Sequence, residues 1–263
     1  MDPGKNIIKE ISKNNNIKHK LISRLQGILQ TNVKDDFDYV LNNTTDIEFY
    51  AYYHDKFKHT PMYKNFDSNK NKYQKQLYDS KYNFIKSIID IKDKNILDIG
   101  EEDCHYSNLF KRQAANVTAV NVKLTMNYEG DKSCIKYYDG YNVPFEDNKF
   151  DIVLIQMVLH HVINHYDDLL KDVYRILKPG GSLIIEDHNF SNDNTNNLID
   201  VYHFIFELIE SKEFNTEYYN KYKVRRFTKD DLVLTLTNMG FKDYKFIDRK
   251  NDQLNRYYLV IKK

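Results

Sequence analysis

The hydrophobic period of the chain changes near residue 95. Ahead of that point apolar residues recur at helical spacing. Leu21, Ile22, Leu25, Ile28 and Leu29 mark one face, and Leu77, Phe84, Ile85, Ile88 and Ile89 mark a second that leads into the first strand. Between them, Asn42 to Asn71 is polar and rich in Tyr, Lys and His, with Pro61 inside it. It predicts a loop or lid with little core. From Asn95 short apolar strands alternate with helices. Strands are predicted at Asn95–Ile99, Val117–Val122, Cys134–Tyr138, Asp151–Ile155 and Ser182–Glu186. Helices are predicted over His105–Ala115 and over the face Tyr166, Leu169, Leu170, Val173, Ile176 and Leu177, stopped by Pro179-Gly180-Gly181. Leu198, Val201, Tyr202, Ile205, Leu208 and Ile209 predict another. Thr228 as N-cap, Asp231 three residues on and Gly240 as the stop predict a helix over Thr228–Met239. Phe241–Asp248 and Arg256–Ile261 are too close for a crossover helix, so they predict an antiparallel hairpin turning at Asn251-Asp252.

Strands and helices alternating in this way predict an α/β fold, a mainly parallel sheet with helices on both faces. Ligands of such sheets bind beyond the carboxyl ends of the strands, where the strand order reverses. The residues that follow each strand are therefore the ones to read. They are Gly100-Glu101-Glu102-Asp103-Cys104, then Asn121, then Asp139 to Phe145, then Gln156 to His161, then Asp187-His188-Asn189.

Several of these segments, in this order, resemble the motifs of class I S-adenosylmethionine-dependent methyltransferases. They are Ile96-Leu97-Asp98-Ile99-Gly100, Asp139 to Phe145, Asp147 to Val153, Val158-Leu159-His160-His161-Val162 and Leu177-Lys178-Pro179-Gly180-Gly181. The resemblance covers about residues 80 to 263. It implies a Rossmann-like, seven-stranded sheet ending in an antiparallel hairpin. Residues 1–76 would form an N-terminal helical extension or lid and 77–263 the methyltransferase-like α/β domain. The implied cofactor is S-adenosylmethionine. By the same resemblance Asp98 and Gly100 would lie under its methionine end, with Glu102 in the same loop. Asn121 would stand where the family keeps an acid for the ribose, Asp139 would meet the adenine amino group, Tyr141 and Val143 would flank the ring, and Gln156 would line the site.

The loop departs from the family pattern of an acid followed by three alternate glycines. It reads Asp98-x-Gly100-x-Glu102-x-Cys104. Side chains stand where backbone usually approaches the ligand. Glu101, Glu102 and Asp103 would repel a pyrophosphate, which argues against a dinucleotide. A sulfonium and an ammonium are compatible with them. The alternative is a methyltransferase-like binding or stimulatory subunit that has lost its cofactor, as in some viral RNA-capping machinery. The AT-rich character of the composition would suit a viral or protist source.

Catalysis of methyl transfer needs positioning, and a base only where the acceptor must lose a proton. His161 and His188 are the candidates, with His160 and His165 close in sequence. His161 and His165 have i,i+4 spacing but no third ligand in sight, so no metal is expected. Gln156-Met157-Val158-Leu159 does not match the motif of base-amino methyltransferases. Gln156 also stands where a ribose 2′-O-methyltransferase needs an acid.

Composition narrows the partners. Hydrophobic residues make up 41% of the 263, enough for a substantial core, and 39 Lys+Arg against 38 Asp+Glu leave a net charge of +1. No global field favours nucleic acid or membrane, so any basic surface is local. Lys221, Lys223, Arg225 and Arg226, with interleaved Tyr222 and Phe227, are the stretch that could meet RNA. A protein partner is left open. Two cysteines make neither a disulfide framework nor a zinc site. With no apolar leader or membrane-length span, a cytoplasmic setting is the expectation.

Overall fold

The five residues Asn95–Ile99 form β1 at the centre of a sheet, and their side chains alternate between its faces. Leu97 and Ile99 join one buried cluster and Ile96 the other. The structure is a computed structural model that describes residues 6–113, 116–122, 131–217, 222–250 and 252–263. Its seven strands run in the order β3 (Ile135–Tyr138), β2 (Asn116–Val122), β1, β4 (Phe150–Gln156), β5 (Leu177–His188), β7 (Arg256–Lys262), β6 (Lys242–Asp248). β1 to β5 pair in parallel, and β7 runs antiparallel to both its neighbours. The order reverses between β1 and β4. Gly100 and Gln156 therefore stand at the switch point.

Helices α8 (Tyr166–Ile176) and α10 (Lys229–Asn238) cover one face. Leu169, Leu170, Val173, Leu232 and Leu236 pack there against Val153, Ile155, Leu183 and Ile185. Helices α6 (Phe66–Ile88) and α7 (Cys104–Lys111) bring Tyr82, Ile85, Tyr106 and Phe110 against Ile152, Leu154 and Ile184 on the other. Each such side chain contributes roughly 1.5–3 kcal/mol when fully buried. The predicted capping box of α10 is present, with Thr228 and Asp231 bonded reciprocally.

The strand after α8 is longer than its apolar run predicts. α8 ends at Ile176, and the chain is already extended at Leu177, so Pro179-Gly180-Gly181 lies inside β5. The register shifts there, from Phe150 opposite Leu177 to Ile152 opposite Ser182. Lys263 holds the irregular segment by backbone bonds to Gly180 and Gly181.

Packing divides the chain into two units. Lys70–Phe190 with Val224–Lys263 holds the sheet, and Met1–Asn69 with Ser191–Lys223 is helical. The helical unit contains α1 (Ile7–Ile11), α2 (Asn15–Leu29), α3 (Lys34–Asn43), α4 (Asp46–Lys58), α5 (Pro61–Lys64), α9 (Asp193–Phe204) and a π turn at Ile205–Ile209. The expected loop over Asn42–Asn71 is thus helical instead. Thr45 and Glu48 form a capping box, and Phe49, Tyr50, Tyr53 and Phe57 recur on one buried face. Phe49 packs edge-on with Phe37 and with Tyr53, and Tyr50 meets Phe204 at 5.7 Å. Asp46 accepts from the backbone N–H of Ile7 and Ile8 and so caps α1. Tyr residues that look polar in sequence are core here. Among the described residues no helix is long and apolar enough to cross a membrane.

Candidate active site

At the carboxyl end of β1 the chain turns through Gly100, whose φ is +94°, and an added Cβ would lie 2.3 Å from Val158 Cγ2. Only glycine fits both constraints. The next residues fold back on themselves. Glu101 is 4% exposed and accepts from the Ser107 hydroxyl at 2.9 Å and the Asp103 backbone N–H at 3.2 Å. Asp103 caps α7 by accepting from the His105 backbone N–H at 3.0 Å. Asp98, 5% exposed, is hydrogen-bonded to Glu101. Burial pushes both carboxyls well above the usual carboxylate range.

The two residues that replace family glycines are placed differently. Glu102 is half-buried. Cys104 is the first residue of α7 and is buried, its sulfur joined to Cys134 in a disulfide with Cα atoms 5.7 Å apart. The two cysteines, from whose number no disulfide framework was expected, are thus bonded to each other. Spacing hid it, because 30 residues separate the pair and only the parallel placement of β1 and β3 across β2 brings them together. The bond draws the Cys104 side chain toward the segment before β3, and the Cys104 N–H donates to Asp131 O there.

The other expected cofactor residues line the same end of the sheet. Asn121 donates its amide to the Glu101 carbonyl at 2.9 Å and accepts from the Val122 N–H at 2.8 Å, so it braces the loop. Asp139 follows β3 and is exposed. Its carboxylate accepts from the N–H groups of Tyr141 and Asn142 at 3.0 and 2.8 Å, which hold it below its ordinary pKa. The Tyr141 ring stacks on His165 with centroids 4.2 Å apart. Val143 is buried. Gln156 at the end of β4 donates to the Tyr106 hydroxyl at 2.7 Å.

At the end of β5 lies a buried polar group. His160 and Asp187 are both fully buried, with Nδ1 2.7 Å from the carboxylate. Asp187 also accepts from the backbone N–H of His160 and of His188. Burial pushes Asp187 up, but the His160 and His188 contacts outweigh it and leave the carboxyl below its ordinary value. The His188 ring nitrogen Nδ1 lies 2.8 Å from Leu254 O, and burial lowers its pKa to about 4. Of the two expected catalytic histidines, His188 is inside this group, while His161 is exposed on the turn Leu159–His161, its ring 4.0 Å from His160. His160 and Asp187 form a buried pair that sequence order concealed. Their only sequence signal is an acid at the end of β5 and a histidine after β4, adjacent parallel strands.

Among the expected RNA contacts, Lys221 lies outside the described residues. Lys223, Arg225 and Arg226 are exposed. Arg225 lies over the Tyr166 ring at 4.1 Å, and its backbone N–H donates to His160 O.

Comparison with known proteins bears on this arrangement. A family model described as a methyltransferase domain matches residues 97–185. A 2-methoxy-6-polyprenyl-1,4-benzoquinol methylase of Xenopus laevis is 28% identical over 114 residues, 41% of this chain and 36% of its own. The chain thus spans about a third of that relative's length. A ubiquinone/menaquinone biosynthesis C-methyltransferase of a Ruegeria species is 26% identical over 171 residues, 58% of this chain and 68% of its own. In structure, an S-adenosylmethionine-dependent methyltransferase from Archaeoglobus fulgidus superposes with a TM-score of 0.52 at 15% identity, over 72% of this chain and 93% of that one. This likeness establishes the fold.

Proposed function

We propose that the chain, whose residues 97–185 match a methyltransferase-domain model and whose fold is that of an S-adenosylmethionine-dependent methyltransferase, methylates a hydroxylated aromatic small molecule of the quinol type. The observation that carries the cofactor half is the switch point itself. Gly100 turns there at φ +94° with Val158 packed against it, and the buried acids Asp98 and Glu101 flank it along the chain. A carboxyl pair suits a ligand that brings an ammonium and a sulfonium. Asp98, Gly100 and Glu102 would hold the methionine end. Asn121 supports the loop through Glu101, and Asp139 offers a carboxylate to the adenine amino group. When bound, the cofactor supplies an electrophilic methyl group.

The acceptor half rests on the names of the relatives and on the buried His160–Asp187 pair. A quinol ring carbon becomes a better nucleophile when its hydroxyl is deprotonated. His160 would take that proton, with Asp187 fixing the ring and carrying the charge of the imidazolium. His188 stays neutral close by and so adds no opposing charge.

The test is transfer of labelled methyl from S-adenosylmethionine to a soluble, reduced benzoquinol, with a short RNA offered in parallel. Label in the quinol supports the proposal. Label in RNA alone refutes the acceptor class and favours the basic stretch through Lys223, Arg225 and Arg226.

A further inference from the structure

Under the loop after β1 the charges do not balance without a proton. Asp98 and Glu101 are buried and bonded to each other. On the same face Glu186 is fully buried, 2.5 Å from Arg249 Nη1 and 3.3 Å from Lys81 Nζ. Lys81 also acts on Asp98. Arg256 also acts on Glu186 but is held by Asp252 at 2.6 Å, so with that pair included the cluster sets four carboxyls against three cations among the described residues. A hydrogen bond between two carboxyl groups requires that one of them carry a proton. The other groups facing the pair do not supply the missing charge. They are Tyr78 from α6, Tyr106 and Ser107 from α7, and Glu102 and Asp103 from the loop. His105, at the start of α7, faces Asp79 of α6 at 3.7 Å.

We propose that Glu101 makes cofactor binding a proton exchange: the Asp98–Glu101 pair releases its shared proton to solvent when the cationic methionine end of the cofactor arrives. This rests on the cofactor reading above. The O–H bond between the carboxyls breaks, one positive charge leaves and one enters, and the cluster keeps its net charge. The high carboxyl pKa values produced by burial support it. Affinity should therefore rise with pH, because binding sheds a proton.

The experiment is calorimetric titration of the full chain with S-adenosylmethionine at pH 7.0, in phosphate and in Tris. At that pH the ligand's α-amine, with an ordinary pKa of about 7.7–8.0, stays charged. Proton release makes the apparent heat depend on the buffer. About 0.5–1 proton per cofactor is expected, with Kd several-fold weaker at pH 6.0. Glu101→Gln, checked for native circular dichroism, should bind without buffer dependence. Should that variant not fold, the wild-type proton count decides alone. Saturable binding with equal heats in the two buffers overturns the inference and leaves the cofactor reading intact. No binding at millimolar ligand overturns both.

Discussion

Gly100→Ala should destabilise the sheet unit. Two costs add. The backbone sits at φ +94°, and the left-handed region costs an L-residue about 1–2 kcal/mol. The new Cβ would stand 2.3 Å from Val158 Cγ2, against a normal carbon contact of about 3.5–4.0 Å. Val158 is β-branched and half-buried, so relief requires a rotamer change or a backbone shift, about 1–3 kcal/mol. The total is about 2–5 kcal/mol, which in a chain of this size lowers Tm by roughly 5–15 °C. A Val158→Ala background separates the two. There Gly100→Ala should keep only the backbone cost, about 1–2 kcal/mol, and the cycle should return a coupling of about 1–3 kcal/mol. Thermal melts of the four proteins by circular dichroism measure it. A single variant melting within a degree of wild type, or additive effects with no coupling, would refute the geometry of the loop.

Three further outcomes follow from the same structure. Asp187→Asn should cut kcat by roughly 10²–10⁴ while leaving the Kd for S-adenosylmethionine unchanged, and a loss confined to cofactor binding would contradict the role given to His160. Stability should fall as pH rises. Asp98 and Glu101 titrate at about 6 and about 9 when folded, against about 4 unfolded, so the native state binds more protons through that window and Tm should drop from pH 6 to pH 9. Glu101→Gln should flatten part of that drop, and Glu210, raised by burial to about 7 in the helical unit, should supply another part; a Tm that climbs over this range defeats the assignment. Cys134→Ser should lower stability by at most about 3–4 kcal/mol through loss of the loop-closure constraint, read as a lower Tm than the untreated wild type and no further change with reductant.

The sequence and the structure part company in instructive places. Parallel strands were legible because their apolar runs are short and nearly continuous, as at Ile96–Ile99 and Ile152–Ile155. The hairpin was legible because too few residues separate Asp248 from Arg256 for a crossover. The helices of Asn42–Asn71 were not, because Tyr50 and Tyr53 bury their rings while counting as polar in the pattern. The site divided in the same way. Asp98 lies near the end of β1, and Gly100 and Asp139 follow strands, so each could be picked out one at a time. The Cys104–Cys134 bond, the Asp98–Glu101 pair and the His160–Asp187 pair depend on side chains meeting across loops or strands, and nothing in their spacing announces it.

Whether the loop after β1 holds S-adenosylmethionine is decided by calorimetric titration of the wild-type protein, with Asp139→Ala alongside. The account predicts saturable one-to-one binding to the wild type and none to the variant. Flat heats for the wild type at millimolar ligand would contradict the claim that this loop, with Glu102 and Cys104 in place of glycines, still holds the cofactor.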